Sequence, residues 1–165
     1  MTIYVGIDNG LSGAIVAINS NQNVIEKWIM PVTKGKGGTQ YNLNGIIDIM
    51  LQLKSHKGNI FVMLEKAHVR PVSGKRASFM TGYGYGVMQA LLTSLKLPYE
   101  IVNPSVWQKD IFAGLNRDDT KQASETFCRQ KFPDVDLTPT ERSKKAHTGI
   151  TDALCMAVYC YRKNR

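Results

Sequence analysis

Two acidic residues stand at the ends of otherwise apolar segments. Asp8 ends the segment 2–8, and Glu65 follows the wholly apolar run 60–64. A carboxylate beside an apolar core is costly unless it is hydrogen-bonded, paired or bound to a cation. Open α/β sheets build their sites at strand ends, and both segments resemble strands. If the two strands are parallel neighbours, the two negative charges lie together and favour a divalent cation.

A third acidic residue, Asp152, falls in the first turn of a predicted helix over 148–162. The helix dipole also favours an acid at that place, so Asp152 alone leaves a structural and a functional interpretation open. With Asp8 and Glu65 it completes a set of hard oxygen ligands, which favours Mg²⁺ or Mn²⁺ over zinc. Two such ions about 4 Å apart can activate a water and stabilise the leaving oxygen of a phosphodiester.

The charge balance points to an anionic partner. The chain has 21 Lys and Arg against 13 Asp and Glu, a net charge of +8. Basic chains bind polyanions because each neutralised phosphate releases condensed counterions. A merely basic globular protein is the alternative, but many of the cations cluster: Lys34 and Lys36; Lys66, Arg70, Lys75 and Arg76; Arg142, Lys144 and Lys145.

Other classes of protein fit the sequence poorly. No apolar run approaches the ~20 residues of a membrane span, and residues 1–4 lack the start of a signal peptide. The three cysteines, Cys128, Cys155 and Cys160, show no Cys-x-x-Cys spacing and indicate core positions in a reducing compartment. We therefore expect a cytoplasmic protein with no membrane partner, folded as one domain over 1–165.

The hydrophobic pattern predicts strands before, between and after helices. We expect strands over 2–8, 13–18, 24–30, 60–65 and 99–102, and helices over 44–54, 77–96, 105–113, 119–131 and 148–162. Asn44 is the expected cap of the first helix, and Lys34 to Gly38 are expected to form a flexible loop. This order predicts an α/β fold: a five-stranded mixed sheet, three strands antiparallel and two parallel, with helices on both faces. It is the element order of the ribonuclease H-like fold.

Three motifs carry a resemblance to a known family. The run Val5-Gly-Ile-Asp-Asn-Gly-Leu-Ser-Gly13, the Leu64-Glu65 strand end and the Asp152-Ala-Leu helix resemble the RuvC-type Holliday junction resolvases, particularly compact versions encoded by phages. The similarity extends over nearly the whole chain, including the long helix after Glu65 and the segment Asn103-Pro-Ser-Val-Trp107.

The resemblance implies a function. Asp8, Glu65 and Asp152 would be the catalytic, metal-binding residues of an Mg²⁺-dependent endonuclease, with Mn²⁺ as a substitute and no nucleotide cofactor. A homodimer would nick two opposed strands of a four-way DNA junction, leaving 5′-phosphates. If the gene belongs to a phage, the enzyme would work in the cytoplasm of the bacterial host.

The chain departs from the family at one position. The family usually has a fourth metal-site residue about one helical turn before the last Asp, where this chain has Thr148 and Gly149. His147 lies five residues before Asp152, ~140° round an ideal helix. It is a candidate additional site residue if the helix begins at Thr148; a helix cap or surface histidine is the alternative. The vacancy also raises a second function, a catalytically weak or inactive branched-DNA binding protein.

Several cations are candidates for DNA binding. Arg70, Lys75 and Arg76 follow Glu65 closely, and Lys109 and Lys121 fall near positions where the family places basic residues around its cleft. For each, an ordinary exposed side chain is the alternative. His68 and Phe79 are the nearest ring-bearing residues that could wedge between bases.

Some features have simpler interpretations. Gly82, Gly84 and Gly86 suggest close backbone packing of a helix, or of two helices across a dimer interface, rather than a phosphate loop. No strand leads directly into them and no Gly-Lys-Ser/Thr follows. Trp28 and Trp107 are interpreted as packing residues. The segment 8–13 also resembles the first phosphate loop of the actin, sugar-kinase and Hsp70 superfamily, but those proteins need two such domains.

Overall fold

The computed structural model describes residues 1–68, 74–140 and 142–165. Seven strands and five helices follow one another in these ranges. They are β1 (Ile3–Asp8), β2 (Ala14–Asn19), β3 (Val24–Ile29), β4 (Val32–Gly35), β5 (Gly38–Tyr41), α1 (Leu43–Ser55), β6 (Ile60–Glu65), α2 (Lys75–Ser94), β7 (Tyr99–Val102), α3 (Pro104–Ile111), α4 (Thr120–Lys131) and α5 (Thr148–Asn164).

Five of the strands form one mixed sheet in the order β3-β2-β1-β6-β7. β1 to β3 are antiparallel neighbours, whereas β6 lies parallel to β1, and β7 lies parallel to β6. The predicted sheet of three antiparallel and two parallel strands is therefore confirmed. The expected placement of 60–65 beside and parallel to the first strand is confirmed as well.

Alternating side chains of the central strands feed two cores, one on each face of the sheet. Tyr4 and Met63 point to the core that includes α3, α4 and α5. Ile3 and Leu64 point to the core that includes α1 and α2. This alternation follows from the two-residue repeat of a strand, and it confirms helices on both faces.

Two glycines allow α5 to approach the sheet closely. A Cβ on Gly6 of β1 would lie 2.0 Å from the carbonyl oxygen of Ala153, and one on Gly149 would lie 2.5 Å from that of Ser12. Real Cβ atoms essentially never approach so closely, so glycine is required at both positions. The helix that carries Asp152 therefore rests directly on the backbone of β1 and of the turn after it.

The segment expected to be a flexible loop is a β-hairpin. Lys34 to Gly38 fall within the β4–β5 pair, in which Gly35 faces Gly38. Gly38 has φ +90°, which glycine adopts at little cost. The loop prediction was wrong because the glycines serve a tight turn between extended residues, a common hairpin geometry.

The first helix has a different cap from the one expected. Asn42 caps α1, its side chain accepting a hydrogen bond from Gly45 N at 3.2 Å, so the prediction of Asn44 was wrong. The backbone N of Asn42 also donates to Pro31 O at 2.9 Å, which ties the cap to the base of the hairpin. The other predicted elements agree with the observed bounds to within two residues, and the strands 60–65 and 99–102 match them fully.

In the part of the chain that the structure describes, none of the helices combines the length and apolarity required to cross a membrane.

Candidate functional site

A cleft of about 410 Å³ opens where β1 and β6 end and α5 begins. All three predicted acids, Asp8, Glu65 and Asp152, line this cleft. Its remaining walls come from the turn after β1, the residues after β6, the helices α2 and α3, and the start of α4. These lining residues are Asn9, Gly10, Lys66, Ala67, His68, Thr81, Pro104, Gln108, Thr120 and Lys121.

The sheet register places the first two acids side by side. Ile7 of β1 pairs with Leu64 of β6 in the parallel ladder, so Asp8 and Glu65 occupy the next step on adjacent strands. Neighbouring strands lie about 4.8 Å apart. The sequence expectation that these two carboxylates are neighbours is met by this register.

Asp8 is held by the turn that follows it. Its Oδ1 accepts a hydrogen bond from Gly10 N at 3.0 Å. Burial raises the pKa of Asp8, while the bond from Gly10 and the charge of His147 act in the opposite direction. Desolvation is the largest of these influences, so a nearby positive charge is needed to favour the ionised form of Asp8.

Glu65 is oriented by a buried tryptophan. Trp107 of α3 donates a hydrogen bond from Nε1 to Glu65 Oε1 at 2.9 Å. The pKa of Glu65 is raised to about 8, first by burial and then by the charges of Asp8 and Asp152, against the lowering influence of the bond from Trp107. A carboxylate with so high a pKa binds a proton at neutral pH unless a cation competes for it.

Asp152 contacts a second helix. Ser124 of α4, fully buried, donates its hydroxyl to Asp152 Oδ1. The pKa of Asp152 is raised to about 7, mainly by burial and also by the charge of Asp8, while the bond from Ser124 and the charge of Lys121 act in the opposite direction. Asp8, Lys121 and Asp152 all line the cleft, which accounts for these electrostatic influences.

The place of Asp152 in its helix differs from the expectation. α5 begins at Thr148, and its first turn holds no acid; Asp152 is the fifth residue and lies in the second turn. The first-turn prediction was wrong although the predicted start was right, because a helix that begins at Thr148 completes its first turn of 3.6 residues before Asp152. The dipole falls off within the first turn, so it gives a weaker explanation for Asp152 than expected.

The donor chemistry of the cleft fits a divalent cation of the Mg²⁺ type. All three acids offer hard oxygen ligands, and each has a raised pKa that a bound cation would reverse. Among the described residues, however, no group of three His, Cys, Asp or Glu side chains lies close enough as placed to hold one ion. A shared ion therefore requires these side chains to turn within the cleft.

His147 is the N-cap of α5. Its Nδ1 accepts a hydrogen bond from Ile150 N at 3.3 Å, as the alternative interpretation of this residue predicted. Burial lowers the pKa of His147 against the influence of Asp8. The neighbouring Gly149 has no space for a side chain, which accounts for the missing acid there.

The predicted DNA-binding residues have different positions relative to the cleft. Lys121 lines it at the start of α4, which Asp119 caps by accepting from Lys121 N at 2.9 Å. Lys109 is exposed on α3 but does not line the cleft. Lys75 and Arg76 are exposed in the first turn of α2. Arg70 lies outside the described residues.

Sequence reasoning missed three residues of the site. Trp107 was interpreted as packing alone; it is fully buried and also holds Glu65. Ser124 gave no signal, since it lies in the middle of a helix 28 residues from its partner Asp152. Asn9 lines the cleft while 6% exposed, and its buried Nδ2 has no hydrogen-bond partner among the described residues. Only the last could have been found from sequence, as the neighbour of Asp8.

One of the three helical glycines packs as predicted. A Cβ on Gly84 would lie 2.2 Å from the hydroxyl of Tyr41, so α2 approaches the hairpin closely there. A Cβ on Gly82 or Gly86 would meet no described atom within 4 Å beyond the local helix backbone.

The fold is shared with solved structures. Comparison of the sequence with protein-family models and with curated proteins found no match. Thermus thermophilus RuvC superposes with a TM-score of 0.64 at 15% identity, covering 98% of this chain and 95% of that one. The T. thermophilus RuvC solved in complex with a Holliday junction substrate gives a TM-score of 0.63 at 11% identity, over 99% and 96%. The chain therefore has the RuvC-type, ribonuclease H-like fold.

Proposed function

We propose that the chain is a metal-dependent, structure-selective endonuclease. Its substrates would be Holliday junctions and related branched DNA, resolved by paired nicks that leave 5′-phosphates. The observation that carries the proposal is the placement of Asp8, Glu65 and Asp152 in one cleft of a RuvC-type fold. The raised pKa of each acid supports a cation-binding role over a merely structural one.

The three acids would hold Mg²⁺, or Mn²⁺ in its place. The bound metal would supply an activated water and stabilise the leaving oxygen of the phosphodiester. Trp107 and Ser124 would position the ligands rather than bind the metal. Trp107 donates a hydrogen bond to Glu65 and Ser124 donates one to Asp152, and each bond limits the rotation of its carboxylate. Lys121 adds a positive charge at the rim, where it favours ionised Asp152 and would attract a phosphate.

The net charge of +8 supports binding to DNA. One structural relative was solved with a Holliday junction substrate, which supports a four-way junction as the substrate here. Paired nicks in opposed strands need two clefts, so we propose that the active form is a homodimer. Lys75, Arg76, Lys109 and Lys121 are the proposed DNA contacts among the described residues, and Arg70 completes the set.

The test is a nicking assay on a labelled four-way junction with Mg²⁺ or Mn²⁺. The wild-type protein should produce paired nicks bearing 5′-phosphates. Asp8→Asn should abolish nicking while junction binding persists, since the variant removes a metal ligand and leaves the basic surface intact. Asp134→Asn, at an exposed acid outside the cleft, is the matched control. Nicking by Asp8→Asn at the wild-type rate would disprove the assigned site.

The second candidate is a branched-DNA binding protein with little or no activity. Two observations favour it: the fourth acid is missing at Thr148 and Gly149, and the described acids are not preassembled around one ion. Junction retardation without nicking in either metal would establish this alternative.

A further inference from the structure

The β4–β5 hairpin stands apart from the five-stranded sheet and forms a separate two-stranded sheet. Residues 33–38 and 40 are exposed, including Lys34 and Lys36. No Asp or Glu occurs anywhere between Lys27 and Ile47. The hairpin is therefore a projecting element that carries positive charge alone.

Three contacts fix the base of the hairpin beside the cleft. Tyr41 donates its hydroxyl to Asn9 O at 2.8 Å, next to Asp8. Arg76 of α2 donates from Nη2 to Thr39 O at 2.9 Å. The close contact between Tyr41 and Gly84 adds a third connection, also to α2. An isolated two-stranded hairpin is marginal in water, so these contacts are what give the hairpin a defined direction.

A groove of about 420 Å³ lies between the hairpin and α2. Thr39, Tyr41 and Arg76 contribute to its walls, and Thr81 lines both this groove and the acidic cleft. The two depressions therefore adjoin. A strand whose phosphate occupied the cleft would continue along the groove, past the hairpin.

The cations around the groove have no acidic partner in the part of the chain that the structure describes. Lys34, Lys36, Lys75 and Arg76 form no ion pair among the described residues. The three acids of the cleft alone would repel a phosphate backbone. Cations beside the cleft that are not neutralised by ion pairs would attract it.

Gly35 and Gly37, at the tip of the hairpin, leave room for another molecule to approach the hairpin backbone closely. Gly35 has no atom within 4 Å of a built Cβ, and Gly37 has only the Gln40 side chain, at 3.6 Å. Neither has a positive φ. The described chain thus gives no steric reason for either glycine, whereas close approach of another backbone is a common one in strands.

We propose that the β4–β5 hairpin is a DNA-binding arm, with Lys34 and Lys36 contacting the phosphate backbone of the strand that leads away from the cleft. The inference rests on the proposed binding of DNA, but it does not require that the protein cut DNA.

The first test compares two doubly substituted variants. Lys34→Gln/Lys36→Gln removes the two hairpin charges, and Lys54→Gln/Lys57→Gln removes two exposed charges near the opposite end of β6. Junction affinity is measured by fluorescence anisotropy in EDTA over a range of salt concentrations. Two lost phosphate contacts should lower the slope of log K against log salt by about 1.8 and weaken binding roughly 10- to 100-fold at 0.1 M salt.

The control variant should retain the wild-type slope. Equal effects of the two variants, or no effect of either, would overturn the proposed DNA-binding role of the hairpin. A wild-type protein that fails to bind DNA would overturn it as well. The nicking assay is separate: a wild-type protein that binds but does not nick contradicts the nuclease proposal alone, and the slopes still decide the role of the hairpin.

The second test locates the arm on DNA. Gly37→Cys is labelled with a thiol-reactive photo-crosslinker; the native cysteines Cys128, Cys155 and Cys160 are buried and should not react. Cross-links should form to the backbone within a few nucleotides of the position expected for the nick. Lys57→Cys is the control and should not cross-link there. Equal cross-linking from both positions, or none from Gly37→Cys, would contradict the proposal.

Discussion

The indole Nε1 of Trp107 donates a hydrogen bond to Oε1 of Glu65 across 2.9 Å and thereby links α3 to the end of β6. Trp107 is fully buried and meets Phe112 edge-on, with ring centroids 5.5 Å apart. A ring so confined can turn little, so the direction of its N–H is set by packing. One oxygen of Glu65 is therefore held in place, and the other forms no hydrogen bond with the described residues.

Replacement of this donor should impair the site more than the fold. In Trp107→Phe, an aromatic ring remains in the core but the bond to Glu65 is lost. Loss of such an outer partner typically costs 10- to 100-fold in metal affinity or activity, and we expect a decrease of that order in nicking at limiting Mg²⁺. Trp28→Phe, outside the cleft, is the control. A wild-type Mg²⁺ dependence in Trp107→Phe would contradict the orienting role.

Ser124→Ala should shift the pH dependence of nicking. The bond from Ser124 lowers the pKa of Asp152, so its loss raises that pKa above about 7 and keeps the acid protonated to higher pH. Nicking should fall at pH 7 and recover toward pH 9, because a protonated carboxyl is a poor metal ligand. Ser94→Ala, at an exposed serine, should leave the pH–rate profile unchanged. A uniform loss at every pH would point to misfolding instead.

The metal-free protein should lose stability as pH rises. The pKa of Glu65 is raised to about 8, so between about pH 4.5 and 8 the folded state holds a proton that the unfolded chain has released. By linkage, the free energy of unfolding falls across that window and then levels. Chemical denaturation in EDTA measures this change. Glu65→Gln should show a shallower fall, and an equally steep fall would mean that other groups cause it.

His147 can be tested as a cap separately from any role in the site. His147→Ala removes the acceptor for Ile150 N and should cost about 1 kcal/mol of stability. His147→Asn supplies another good cap and should restore most of that stability. We expect His147→Asn to nick within a few fold of wild type. A loss near 100-fold with normal stability would instead place His147 among the metal ligands.

Gly149 should not tolerate a side chain. Gly149→Ala would bring a Cβ to 2.5 Å from Ser12 O, and we expect a loss of about 1–3 kcal/mol or more from overpacking, measured by denaturant unfolding. Gly82→Ala is the matched control: its site is open and helical, so alanine should be neutral or stabilising. Equal stabilities of the two variants would mean that α5 can shift away from the turn.

The central features of the fold were predictable from local patterns. The apolar run 60–64 ending in Glu65 indicated a strand buried on both faces, and the right-handed crossover rule placed it beside β1. The strand ends Asp8 and Glu65 then had to meet. The position of Asp152 was harder to predict from sequence, because only the apolar character of its helix indicated that α5 packs on the sheet.

The remaining features depend on tertiary contacts that no local pattern encodes. The partnership of Ser124 and Asp152 joins residues on two helices, and the bond from Trp107 to Glu65 spans 42 residues. The sequence did not predict the β4–β5 hairpin, because its glycines are equally compatible with a flexible loop. Its anchoring by Tyr41 and Arg76 becomes visible only once α2 is in place.

The contact of α5 with Gly6 has a consequence for which ions the cleft can accept. Because backbone rests on backbone there, the separation between the main chains that carry Asp8 and Asp152 is set by hard contact, not by side chains that could repack. Such a frame leaves side-chain rotation as the main adjustment open to Asp8 and Asp152 around a bound ion. We therefore expect the fixed main-chain frame to favour Mg²⁺ over the larger Ca²⁺, with rotation of the three acidic side chains as the adjustment that remains.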